Sequence, residues 1–145
     1  MSVRKRKEAT TMEKIIINTN FESNYKNNGQ SKEQKFRFAM TGEIVKADNI
    51  PHDEGTDFGN YSIKTARATV CKGTNLVEYL ATDKATSFIY ITKTDIAYIM
   101  SKTEYIEFCE TFARPDTDSK KNGGGVKMRL GKETAKMLEW LAERV

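Results

Sequence analysis

The stretch Glu54-Gly55-Thr56-Asp57-Phe58-Gly59-Asn60-Tyr61-Ser62-Ile63-Lys64-Thr65 decides how this chain is read. Gly59-Asn60, between Phe58 and Tyr61, has the form of a two-residue hairpin turn, with a glycine available for a positive φ. In that register Asp57 faces Ser62 across the hairpin, and Thr56 faces Ile63. Directly opposed residues share a sheet face, and side chains alternate faces along a strand. Asp57, Ser62 and Lys64 are therefore expected on one face, with Ile63 turned toward a core.

Outward from this hairpin, residues 61–71 form a long Thr-, Val- and Ala-rich strand that Gly73 ends. A short helix follows over 75–82, and Ser-Phe-Ile-Tyr-Ile-Thr at 87–92 is the best buried strand in the chain. A second apolar strand covers 95–100. Ser101-Lys102-Thr103-Glu104 is a capping box that opens a helix to about Ala113, with Tyr105, Phe108, Cys109 and Phe112 on its inner face. Residues 114–125 read as a polar, glycine-rich loop. Val126, Met128 and Leu130 then alternate with Lys127 and Arg129, and an amphipathic helix closes the chain over 132–145, with Met137, Leu138, Leu141, Ala142 and Val145 as its stripe. On the N-terminal side, a strand is expected at 14–18 and an Asn-rich loop to residue 30. A helix capped by Ser31, with Gln34 at the capping-box position, is expected to run to about Lys46. The order predicts an α/β chain with a mixed β-sheet flanked by helices, whose central strands are 61–71 and 87–92. Residues 1–30 form a basic arm and flexible N-terminal segment, and residues 31–145 a single domain.

Composition sets the outer limits. The chain has 145 residues, a net charge of +4, 38% hydrophobic and 30% charged residues, which is ordinary for a globular protein. No apolar run approaches the roughly 20 residues that span a bilayer. The basic N-terminus has no apolar segment behind it and is not read as a signal peptide. Cys71 and Cys109 stand alone, without metal-site spacing, which points to a reduced, cytoplasmic chain. A single histidine, His52, excludes a His-rich metal cluster and argues against a Ser-His-Asp triad. Gly125 to Lys132 nearly spells a phosphate-binding loop, but its spacing is one residue too long and Glu133 stands where a hydroxyl must bind metal.

A carboxylate beside an ammonium on a rigid sheet suits magnesium-assisted phosphodiester chemistry. Mg²⁺ takes a few oxygen ligands, keeps several waters, polarises the phosphate and generates hydroxide. Asp57 and the carbonyl of Ile63 are candidate ligands, with Glu54, Glu43 and Glu78 as acids able to complete the shell. Lys64 is the candidate for holding the phosphate or activating water, and Ser62 is a weak, neutral ligand. Lys121, Asn122, Lys127 and Arg129 form a second constellation, in which cations neutralise phosphates and Asn or Arg reads base edges. Arg67 is a weaker candidate, because strict alternation puts it on the face opposite Lys64 unless the strand bends.

Asp57 followed by Ser62-Ile63-Lys64 resembles the active-site signature of the PD-(D/E)XK nuclease superfamily, and the element order from Asn49 to Leu130 resembles small type II restriction endonucleases. The resemblance implies a restriction-endonuclease-like sheet and a nuclease-like domain over 31–145. It also implies a Mg²⁺- or Mn²⁺-dependent endonuclease that acts on double-stranded DNA as a homodimer. Ser62 replaces the acid of the motif triplet. In the family's Ser-any-Lys members the following helix supplies the missing acid, a role that falls here to Glu78. The same substitution supports an alternative: a lapsed nuclease fold that binds DNA or a protein partner in phage or plasmid defence conflict. A small interaction protein without a nucleic-acid role is the third reading.

Overall fold

The computed structural model describes residues 12–17, 28–41, 61–116 and 125–145. In chain order its elements are β1 (Glu13–Ile16), α1 (Asn28–Thr41), β2 (Tyr61–Lys64), β3 (Thr69–Lys72), α2 (Leu76–Ala81) and β4 (Ser87–Ile91). There follow β5 (Ile96–Ser101), α3 (Lys102–Phe112), β6 (Ala113–Asp116), β7 (Lys127–Leu130) and α4 (Ala135–Ala142). The chain is α/β, with two sheets. One has four strands in the order β1-β5-β4-β2, and the other three in the order β3-β7-β6. The first sheet is mixed, since β2 pairs parallel with β4 and the remaining pairs are antiparallel.

β4 is central because it is apolar on both faces. Phe88 and Tyr90 point to one side, and Ile89 and Ile91 to the other. The first pair joins the larger core with Tyr105, Phe108 and Cys109 of α3, Val70 and Cys71 of β3, Leu130 of β7, and Met137 and Leu141 of α4. Phe88 and Tyr105 stack with centroids 4.2 Å apart, and Phe108 lies 5.4 Å from Tyr90 and 5.5 Å from Trp140. The second pair joins Ala97, Ile17 and Phe36, so α1 covers the opposite face.

The capping box on the helix from Lys102 appears as read, and two further caps come from the structure, the second starting the last helix at Ala135 rather than 132. Asn75 caps α2, and Ser101 and Glu104 form both bonds of the capping box on α3. Thr134 caps α4 by accepting from the Met137 amide. Four expectations are corrected. Residues 61–71 are neither one strand nor central: the chain turns at 65–68 and passes from the first sheet to the second, with Arg67 at φ 66°, and among the described residues β2 and β3 each stand at the end of a sheet. Ser31 is not a cap, because α1 already begins at Asn28. Arg114, expected in a loop, belongs to β6, where Pro115 is tolerated because the strand lies at a sheet edge. Ala142 and Val145, expected on the apolar stripe of the last helix, are both exposed. The antiparallel partner proposed for Tyr61–Lys64 lies outside the described residues.

The turn between β4 and β5 is fixed from both sides. Asp95, at φ 63° and with a side chain only 12% exposed, ion-pairs with Lys32 and, at 3.0 Å, with Lys35 of α1. Lys32 also donates to the carbonyl of Lys93. Opposite, Glu133 accepts from the Lys93 amide at 3.2 Å and from the Tyr90 hydroxyl at 3.0 Å. Burial pushes the Asp95 carboxyl up, but hydrogen bonds from Lys32 and Lys35 outweigh it and hold the group below the usual carboxylate range. A depressed native value means stability that is present above the unfolded value of about 3.9 and is lost as pH falls through the native one. Asp95→Asn keeps a residue tolerant of positive φ while removing the charge. It should destabilise the protein by about 3 kcal/mol at pH 7, because Lys32 is left buried without its anion. Denaturant unfolding at pH 7 and pH 3 tests this, and the gap between wild type and variant should narrow at the lower pH.

Candidate nucleic-acid interface

The parallel register sets Ser62 beside Phe88 and Lys64 beside Tyr90, so Ser62 and Lys64 share the face that packs under α3. Tyr61 and Ile63 turn to the α1 side, where Phe36 meets Tyr61 edge-on at 6.0 Å. Ser62 and Lys64 share a face and Ile63 turns into a core, as expected, but the face of Ser62 and Lys64 is itself turned to the larger core rather than open. Ser62 is 7% exposed. The Lys64 ammonium donates to the carbonyl of Thr69 at 3.3 Å, across the turn that links the two sheets.

Lys64 also lies close enough to Cys109 to act on its thiol. Burial pushes the Cys109 thiol up to about 12, against smaller lowering effects of the Tyr105 hydroxyl and the Lys64 charge. Burial likewise raises the Cys71 thiol, which donates to the Gly73 carbonyl at 3.4 Å.

Asp57, Glu54 and Glu43 lie outside the described residues, as do Lys121 and Asn122. Glu78 sits on an exposed turn of α2, where its carboxylate accepts from the Asn75 side-chain amide at 2.7 Å. It completes a helix cap there. Among the described residues, no group of three or more His, Cys, Asp or Glu side chains is placed to hold a metal ion.

The three-stranded sheet gathers a different set. Its inner face is Val70, Cys71, Met128, Leu130 and Ala113, all packed in or against the larger core. Its outer face follows from alternation. Lys72 is directly opposite Lys127, and Arg114 directly opposite Arg129. Asp116 lies opposite Lys127 and ion-pairs with Arg129 at 3.4 Å. The face thus carries four cations and one carboxylate. Arg129 keeps a side chain 47% exposed, and the Arg114 guanidinium folds back onto the Ala113 carbonyl at 2.7 Å. Arg67 is exposed, and its amide donates to the Gly131 carbonyl at 3.1 Å, which brings it to the Leu130 end of β7.

Of these four cations on the outer face, the sequence reading names Lys127 and Arg129 and not Lys72 or Arg114. Lys72 was legible as the outward residue beside the inward Cys71. Arg114 was hidden by Pro115, which mimics a loop. No protein-family model, no curated protein and no solved structure matches this chain, so the resemblance to the nuclease superfamily rests on its motif residues and element order alone.

The buried thiols give a direct check. At neutral pH a thiol near 12 holds about three orders of magnitude less thiolate than free cysteine. Titration with an aromatic disulfide reagent should find neither Cys71 nor Cys109 in the native protein, and both after unfolding.

Proposed function

We propose that this chain binds nucleic acid, holding double-stranded DNA against the outer face of the sheet formed by β3, β7 and β6. One observation carries the reading: the two like-charge pairs Lys72–Lys127 and Arg114–Arg129, directly opposed across adjacent strands. Like charges set opposite each other destabilise a sheet. A solvated surface has no need of them, whereas a polyanion running over the face neutralises them and releases its own counterions. Arg67, exposed and bonded through its amide to Gly131, is a further candidate contact, as are Lys121 and Asn122, which precede β7 in the sequence. No described helix is long and apolar enough to cross a membrane.

The second reading is Mg²⁺- or Mn²⁺-dependent cleavage of the bound DNA by a homodimer. It rests on the motif residues, with Asp57 to bind the metal; the face that Ser62 and Lys64 share packs under α3, with Ser62 buried, and weighs against an open site. The two readings separate in one set of assays. Binding to duplex DNA should fall by a factor of about 10³–10⁵ between 50 and 200 mM salt if six to ten phosphates are contacted, and less for fewer contacts. Lys127→Glu with Arg129→Glu should weaken binding of every sequence tested. Plasmid incubated with Mg²⁺ or Mn²⁺ should be cut only under the second reading, and there Asp57→Ala and Lys64→Ala should each abolish cutting. Intact plasmid with wild type, together with salt-dependent binding, leaves a DNA-binding protein. No binding at any salt concentration overturns the proposal.

A further inference from the structure

Resting on the nucleic-acid reading, we infer that Lys72 and Lys127 form a clamp for a single backbone phosphate. The two pairs on the outer sheet face are not equivalent. Arg129 already holds Asp116, and Arg114 already holds the carbonyl of Ala113. Among the described residues, neither the Lys72 nor the Lys127 ammonium has a hydrogen-bond or ion-pair partner. Directly opposed residues on adjacent strands have Cβ atoms about 5 Å apart. Two flexible lysine stems rooted that closely can bring their ammonium groups to one anion, each offering three donors.

The backbone fixes the pair in place. Gly73, at φ 85°, follows Lys72, and its amide donates to the Val126 carbonyl at 2.7 Å. Gly125, also at positive φ, precedes Val126. Lys72 and Lys127 are thus the last registered pair of β3 and β7, next to the two positive-φ glycines. Their nearest chemical match is the phosphodiester oxygen pair, contacted without reading the base, so this clamp adds affinity and no sequence preference.

A shared phosphate has a signature in the salt dependence of binding. The slope of log K against log salt counts phosphates neutralised, about 0.9 per phosphate on duplex DNA. Lys72→Gln and Lys127→Gln should each weaken duplex binding while leaving the slope nearly unchanged, because the remaining lysine still engages the phosphate. The double variant should lower the slope by about 0.9. If each single variant lowers it by about 0.9 and the double by twice that, the lysines serve separate phosphates and the clamp is wrong, although DNA binding stands. If the double variant binds as wild type does, the clamp is also wrong. If wild type binds no duplex, the nucleic-acid reading falls and the clamp with it. Without DNA, relief of the repulsion in Lys72→Gln, whose residue faces Lys127 and not Asp116, should raise Tm by about 1–3 °C at low salt. Inorganic pyrophosphate should raise the Tm of wild type and not that of the double variant. A lowered Tm in the single variant, or equal pyrophosphate responses, overturns the inference.

Discussion

The turn at residues 65–68 is the constraint on which the rest depends. An extended chain that reads as one strand is divided between two sheets, so β2 completes the first and β3 opens the second. The division needs Arg67 at positive φ, which costs a non-glycine residue roughly 1–2 kcal/mol. Three backbone hydrogen bonds offset that strain. Ala68 donates to Thr65, Arg67 to Gly131, and Leu130 to Ala68. Two of them reach the β7 end, so the turn is held in part by the second sheet. The larger core between the sheets exists because the chain changes sheets here, and Lys64 is drawn toward Thr69 by the same turn.

The second organising element is the turn between β4 and β5, held by charge. A buried carboxylate with two lysines fastens α1 to one side, and Glu133 fastens the start of α4 to the other. Both helices are anchored to a few residues of one turn. The Tyr90 hydroxyl serves the same arrangement: burial first, and then the Glu133 charge, hold it firmly protonated, so it remains a donor.

What the sequence disclosed follows from the range of the forces involved. The capping box at Ser101 and Glu104 and the buried apolar strand β4 are set by neighbouring residues, and each appears where the sequence puts it. The split at 65–68 is set by Gly131 and Leu130, more than sixty residues away, and nothing in Thr-Ala-Arg-Ala announces it. Arg114 was obscured for a related reason, since Pro115 is acceptable only at an edge and edges are a property of the assembled sheet. The shared face of Ser62 and Lys64 was legible from alternation. The destination of the Lys64 ammonium was not, because its partner carbonyl depends on the split. The basic sheet face was half legible: β7 supplied its cations by alternation, while their opposite numbers required the register.

Pro115 has a consequence for self-association. Among the described residues β6 is bordered by β7 alone, and the middle of this four-residue strand lacks an amide hydrogen. A further strand laid along that margin would lose a ladder bond and meet the charges of Arg114 and Asp116. The second sheet is thereby protected against lengthening from the β6 side, and a two-fold partner that extends a sheet would have to add elsewhere. The residue that disguised a strand as a loop also keeps that strand from recruiting another.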